Sequence, residues 1–371
     1  MNAHTIPIRG EHQIGTGGHG TVRVMIVDDS LTVRTVFKRM IDGAPRLKTA
    51  GTASSGEQAL SQLRRCSDSD LADVILLDVE MPGMGGLKAL PAILETAPKA
   101  KVLVVSSLTQ DGAETTISAL SMGAADTMLK PRPGGFNDEY CTQLLEKIYA
   151  LGEAQPDLSS SSRTKVHRNS NGSPTSRIAA SRPELLAIGA STGGIHALNI
   201  LLRNLSPAFD CPILITQHLP SSFISVFARQ VELISGRKTV IAERGTTVRN
   251  GEIAVATGHG HMVIEKHLGE FTCRISTDPA DSGCLPSVDP MLSSIAKACE
   301  GNAVAIILSG MGRDGLEGAR DLVNSGGVVF AQDTETSAVW GMPGAVAKAG
   351  LTSLIGSPEQ LAEVLNVQCG A

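Results

Sequence analysis

Ser191 sits where a greasy run breaks into small residues, in "LLAIGASTGGIHAL", residues 185–198. Residues 189–193 spell G-x-S-x-G, where small neighbours let a strand turn sharply into a helix and leave Oγ exposed. Three uses of such a serine compete: nucleophile, phosphate cradle and helix cap. A phosphate loop would end in Gly-Lys-Ser/Thr, and a dinucleotide turn would carry G-x-G-x-x-G; neither is present. A capping serine is the commoner reason for such a turn. The nucleophile reading therefore needs a base and an acid to orient it.

Of the histidines after Leu185, His218 follows the apolar "CPILITQ" and falls at a strand's carboxyl end. His196 lies one turn into the helix after Ser191 and is expected to face away. His259 and His261 flank Gly260 with no acid or thiol adjacent, which is a poor start for a metal site. A third apolar run, in "AVAIILSGMGRDGLEGA", ends in a glycine-rich turn that carries Asp314. Ser191, His218 and Asp314 thus each follow a different predicted strand. Their order is Ser, His, Asp. An α/β-hydrolase runs Ser, Asp, His, so the G-x-S-x-G match alone points to the wrong family.

The first part of the chain offers another set. Asp28 and Asp29 follow its first apolar run, Asp78 the third, Ser106 the fourth and Lys130 the fifth. In a parallel sheet, ligands collect at those carboxyl ends. Clustered carboxylates call for a hard cation, and Mg²⁺ with oxygen ligands fits. With a metal and a lysine neutralising the incoming oxygens, a carboxylate can form an aspartyl-phosphate. Singly, each residue has a plainer use: Asp29 or Ser30 as a helix cap, Lys130 as a solvated lysine, Ser106 as a loop hydroxyl. Together, each at the end of its own strand, they are hard to obtain by chance.

The elements that must hold these residues read as α/β throughout. From Val22, five short apolar runs alternate with five amphipathic stretches, which predicts a doubly wound parallel sheet. Its helices are expected at 31–41, from Gly56, from Leu87, near 114–122 and at 139–151. Residues 152–183 are rich in serine and poor in apolar residues, with Arg163, Lys165, Arg168, Arg177 and Arg182 against Glu153 and Asp157; they read as a tether. The α/β pattern resumes at Leu185, and residues 239–276 suggest a hairpin or small antiparallel patch on the second sheet. The division expected is an N-terminal extension (1–21), a first domain (22–150), a linker (151–183) and a second domain (184–371). His4, His12 and His19 in the extension fit no standard metal spacing.

Composition narrows the function. The chain has 371 residues, 3% aromatics and a net charge of −5. That leaves no stacking platform or basic footprint for nucleic acid. Seven scattered cysteines suit a reducing cytoplasm. No apolar run reaches membrane-spanning length.

Two resemblances complete the reading. "VMIVDDS", "ILLDVEMPGMGGL", "VVSSLT" and "DTMLKP" resemble the receiver domain of two-component response regulators. That implies Asp78 as phosphate acceptor, Asp28, Asp29 and Asp78 as the Mg²⁺ ligands, and Ser106 and Lys130 as the residues that follow the phosphoryl group. Gly85 departs from the usual Asp of "MPxMDG". "AIGASTGG", "ITQHLP", "LPSVDPM", "ILSGMGRDG" and "VVFAQDTETSAVWGMPGAV" resemble the catalytic domain of chemotaxis protein-glutamate methylesterases. That implies Ser191 as nucleophile, His218 as general base and Asp314 as the orienting acid, with Thr192 and Met311 at the oxyanion rim. Leu285 stands where the family has a basic residue before "PSVD", while Ser287 and Asp289 keep their places.

The resemblance further implies a cytoplasmic, phosphorylation-activated hydrolase that demethylates receptor glutamates and deamidates receptor glutamines. Its partners would be a chemotaxis histidine kinase and methyl-accepting receptors, with no nucleic acid, no membrane insertion and no cofactor in the catalytic domain. A different serine hydrolase under receiver control is the alternative. A docking module without turnover and a DNA-binding regulator are weaker ones.

Overall fold

The computed structural model describes residues 20–67, 70–107, 109–131, 135–153 and 182–368. The expected N-terminal extension and tether therefore lie largely outside the described residues.

The first sheet is built from β1 (Val22–Val27), β2 (Leu47–Ala53), β3 (Val74–Asp78), β4 (Lys101–Ser106) and β5 (Asp126–Leu129). All pairs are parallel in the order β2-β1-β3-β4-β5. The helices between and after them are α1 (Leu31–Gly43), α2 (Gly56–Leu63), α3 (Gly86–Thr96), α4 (Gln110–Met122) and α5 (Asp138–Glu153). Central β3 is buried along its whole length, as a strand covered on both faces requires. Five strands and five helices match the expectation. Helix α4 begins four residues earlier than expected, because Thr109 caps it, its Oγ1 accepting the Gly112 N–H at 2.9 Å. Ser30 caps α1 in the same way. Gly85 is the N-cap of α3 and offers no side-chain bond, which an Asp there could supply.

The second sheet has seven strands: β6 (Leu185–Ala190), β7 (Ile213–Gln217), β8 (Thr239–Ala242), β10 (Ile253–Ala256), β13 (Ala303–Ile307), β14 (Val328–Gln332) and β15 (Leu354–Gly356). The order is β15-β14-β13-β6-β7-β10-β8, again parallel throughout. Its helices are α6 (Gly194–Asn204), α7 (Ser221–Ser235), α8 (Val288–Ala298), α9 (Leu316–Asn324), α10 (Met342–Lys348) and α11 (Pro358–Gln368). The expected antiparallel patch proves to be two things. β8 and β10 join the parallel sheet, whereas β9 (Thr247–Val248), β11 (His261–His267) and β12 (Glu270–Ser276) form a separate antiparallel sheet. That small sheet buries Met262, Ile264, Phe271 and Cys273 against the Val288, Met291, Leu292 and Ile295 face of α8.

Register sets the site. Ala190 of β6 pairs with Gln217 of β7, so the next residues, Ser191 and His218, emerge side by side. On the other flank Ile307 of β13 pairs with Gly189, which brings the loop after β13 to the same edge.

Candidate active site

Ser191 is half-buried, its N–H donating to the Ser309 carbonyl at 3.0 Å. Its own carbonyl accepts from the Gly194 N–H at 2.8 Å and from Gln217 Nε2 at 2.9 Å. The turn is possible because Gly193 has φ of +78°, and a Cβ there would lie 2.5 Å from Ala338 Cβ and 2.6 Å from Ser309 Oγ. At Gly310 a Cβ would approach Ser191 Cβ to 2.9 Å and Met342 Sδ to 2.3 Å, so the loop after β13 can lie against the serine only with glycine there.

His218 Nε2 and Asp314 Oδ2 are 2.7 Å apart. The Asp314 carboxylate is buried and held by other donors as well. Ser287 Oγ reaches Oδ1 at 2.6 Å, the Val288 N–H reaches Oδ2 at 2.7 Å, and the Gly315 N–H reaches Oδ1 at 3.0 Å. Burial alone would raise the Asp314 pKa, but the His218 hydrogen bond and charge outweigh it and hold the carboxyl well below the usual range. For His218, burial lowers the pKa, while the hydrogen bond to Asp314, with Cys284 beside the ring, outweighs it and raises it to about 9. Ser191 and His218 line one cavity, with Nδ1 the ring nitrogen that Asp314 leaves free. Neither the Thr192 nor the Met311 backbone N–H has a hydrogen-bond partner among the described residues.

The other histidines stand apart. His196 Nδ1 lies 3.2 Å from the Ser121 carbonyl, His259 Nδ1 lies 2.6 Å from Thr257 Oγ1, and buried His261 accepts the Ser287 N–H at 2.9 Å. Asp289 accepts the Gly318 N–H at 2.8 Å and does not reach His218. Burial, opposed by that N–H and aided by Asp314, pushes its pKa up to about 6.

The first sheet covers this mouth. The Gly193 N–H donates to the Ala125 carbonyl at 2.5 Å, and Thr192 Oγ1 donates to Asp126 Oδ2 at 2.6 Å. Arg229 of α7 lies 3.6 Å from Glu114 of α4. Val339 belongs to the same buried hydrophobic cluster as Val105, Ala125 and Met128 of the first domain. The cavity beside Ser191 is walled by Leu120, Ala124, Ala125 and Asp126 and has a volume of only about 10 Å³.

The acidic pocket also assembles. Asp28, Asp29 and Asp78 each place a carboxylate oxygen within 4.8 Å of the others. Asp78 accepts from Lys130 Nζ at 2.5 Å and from the Glu80 N–H at 2.9 Å. Its pKa is nonetheless raised, because burial outweighs those bonds. Asp28 Oδ2 is buried without a hydrogen bond, with Lys130 Nζ at 3.4 Å. Ser106 Oγ is also buried without a partner. An orphaned carboxylate oxygen in an all-oxygen donor set fits Mg²⁺.

Comparison with known proteins gives the family. The family described as response regulator receiver domain matches residues 24–135, and the one described as CheB methylesterase matches 186–365. A protein-glutamate methylesterase/protein-glutamine glutaminase of Azospirillum brasilense is 38% identical, covering 94% of this chain and 93% of its own length. One so named from Rhodospirillum rubrum is 37% identical, covering 91% of this chain and 92% of its own. The chain belongs to this methylesterase/glutaminase family. Among solved structures, the catalytic domain of Thermotoga maritima CheB methylesterase is 31% identical, covering 49% of this chain and 97% of that one at a TM-score of 0.48. The response regulator domain of Thermotoga maritima CheB is 37% identical, covering 37% and 99% at a TM-score of 0.32.

In this methylesterase/glutaminase several residues at the site carried little signal in the sequence. Gln217, beside His218 in "ITQHLP", positions the Ser191 carbonyl. Ser287, from "LPSVDPM", completes the Asp314 cradle. Ala125 and Asp126 read only as the start of a strand, and Cys284 gave no sign of lying beside His218.

Proposed function

We infer that this protein hydrolyses glutamate γ-methyl esters of chemoreceptors, and deamidates receptor glutamines, through Ser191, His218 and Asp314. Phosphorylation of Asp78 by a chemotaxis histidine kinase activates it in the cytoplasm for sensory adaptation. The observation that carries the reading is the 2.7 Å His218–Asp314 bond beside Ser191, in a chain so similar to relatives of that name. Among the described residues, no helix is long and apolar enough to cross a membrane.

The geometry supports the following course. Neutral His218 takes the Ser191 hydroxyl proton at Nδ1 as Oγ attacks the ester carbonyl carbon. Asp314 holds the ring by Nε2 and stabilises the imidazolium, and its own cradle of donors keeps it ionised. The unpartnered N–H groups of Thr192 and Met311 are the donors available to the tetrahedral oxyanion. The bond to methoxide oxygen breaks as His218 returns the proton, so methanol leaves and a glutamyl ester remains on Ser191. Water, deprotonated by His218, then attacks that ester and frees the glutamate and Ser191. With a glutamine substrate the leaving group is ammonia.

In the first domain Asp78 is the acceptor carboxylate, and Lys130 neutralises the incoming phosphoryl oxygens. Orphaned Ser106 has an unused hydroxyl to donate to one of them. Mg²⁺, held by Asp28, Asp29 and Asp78, would supply further charge neutralisation. The cavity beside Ser191 is too small for a receptor helix, so activity requires the first sheet to move off. Methanol release from methylated receptor membranes tests the reading. The wild type should release it and Ser191→Ala should not; release by Ser191→Ala would defeat it.

A further inference from the structure

The described residues contain two clusters of metal-binding side chains with opposite chemistry. Asp28, Asp29 and Asp78 offer only oxygen, the donor set of a hard ion. His218, Cys284 and Asp314 offer one nitrogen, one sulfur and one oxygen, each within 4.8 Å of the others. Thiolate with imidazole selects Zn²⁺ over Mg²⁺. The geometry points to a soft-metal site at the triad itself, where Zn²⁺ held by His218, Cys284 and Asp314 switches the hydrolase off.

Cys284 is spare for this purpose. It is neither the attacking group, the base nor the orienting acid; its Sγ lies beside His218 and has a 3.8 Å contact with the Ser282 carbonyl. Yet its position is fixed from the triad. The Cys284 N–H donates to Ser282 Oγ at 3.3 Å, Ser282 Oγ donates to Ser287 Oγ at 3.1 Å, and Ser287 Oγ donates to Asp314 at 2.6 Å. The same chain of bonds thus anchors the thiol and the carboxylate. Cys284 is half-buried, and the His218 side chain keeps 16% of its surface exposed, so an ion can reach them.

Binding is an exchange of protons for metal, with no redox change. Zn²⁺ takes the Cys284 sulfur as the thiol proton leaves, and one His218 nitrogen and one Asp314 oxygen as their shared proton leaves. Bond lengths of about 2.0–2.3 Å set tetrahedral donors about 3.5 Å apart, so His218 and Asp314 must part by just under about 1 Å. The fourth position falls to water. The pairing of His218 with Asp314 is then broken, and the base is no longer oriented toward Ser191.

The activity arm of the test rests on the hydrolase reading above; the spectroscopic arm does not. Metal-stripped full-length protein is titrated with Co²⁺ in excess Mg²⁺. We expect a thiolate-to-cobalt charge-transfer band with tetrahedral d–d absorption, both erased by Zn²⁺. Cys284→Ser and Cys284→Ala should lose the charge-transfer band and retain Mg²⁺-dependent phosphorylation. Cys66→Ser, at an exposed thiol, should keep the band. In methanol release, Zn²⁺ should inhibit the wild type, a chelator should restore it, and Cys284→Ser should need at least about ten-fold more Zn²⁺. A band that disappears with Cys66, no band at all, or equal Zn²⁺ sensitivity in wild type and Cys284→Ser would overturn the site. A Cys284-dependent band without any ester hydrolysis would uphold the site and defeat the function instead.

Discussion

Thr192 Oγ1 donates to Asp126 Oδ2 at 2.6 Å, which ties the residue after Ser191 to the first residue of β5 in the other sheet. Asp126 also pairs with Lys147 at 2.5 Å, so its carboxylate is oriented from within its own domain. A hydrogen bond to a charged group contributes about 1.5–3 kcal/mol. Asp126→Ala should therefore raise methanol release by unphosphorylated protein about ten-fold. An unchanged basal rate, with Asp78 still phosphorylated normally, would show that this bond does not hold the closed form.

The proposed mechanism separates Ser191, as attacking group, from Asp314, as orienting one. Ser191→Ala should abolish hydrolysis while thermal unfolding stays near the wild type, because a half-buried hydroxyl without a bond of its own adds little packing. Asp314→Asn keeps the size but loses the charge and alters which His218 tautomer is favoured; a drop of several orders of magnitude in kcat is expected. If Asp289→Asn proved equally severe and Asp314→Asn mild, the orienting acid would have been misassigned.

His218 gives the pH dependence its sign. As the base of the proposed mechanism it must be neutral, so kcat/KM should rise with pH along a limb whose midpoint lies above the ordinary value of 6.5, toward about 9. The cause is the carboxylate. In Asp314→Asn the residual activity should titrate at a lower pH, since burial, which disfavours the imidazolium, then dominates. The same raised pKa stabilises the fold fully below 6.5, and that contribution is lost as pH rises through about 9. Thermal melts of the wild type should fall across that window more than those of Asp314→Asn. Equal slopes would remove the linkage.

How much of this was legible in the sequence follows from what each residue does. Ser191 and His218 were readable because each ends an apolar run, and parallel pairing then carries them to one edge, as Ala190 opposite Gln217 does. Asp314 was placed by its glycine-rich loop, although Gly310 is needed for contact with Ser191 rather than for a bare turn. The strands at 239–242 and 253–256 were read as part of an antiparallel patch because short β-rich runs with glycine turns do not disclose their partners. What could not be read was contact between distant segments. Ala125 and Asp126 look like ordinary strand residues, and only the docked sheets show them on Gly193 and Thr192. Cys284 meets His218 only because Ser282 and Ser287 hang its loop from Asp314.

The switch itself is the last step to test. Asp78 ends β3, and Ser106 ends the adjacent β4, its hydroxyl buried and unpartnered. A phosphoryl group on Asp78 offers that hydroxyl an acceptor and draws Lys130 toward added negative charge. Both movements bear on β5 and α4, the elements that hold Gly193, Thr192 and α7. Loss of the Ala125 and Asp126 bonds would open a cavity now of about 10 Å³. Asp78→Ala should therefore keep the basal rate but gain nothing from a small-molecule phosphodonor. Residues 184–371 alone, which lack the cover, should hydrolyse methylated receptors faster than the unphosphorylated full chain. Activation of Asp78→Ala by the phosphodonor would exclude Asp78 as the trigger. A fragment no faster than the full chain would mean that the first sheet, although it lies over Ser191, does not limit access to it.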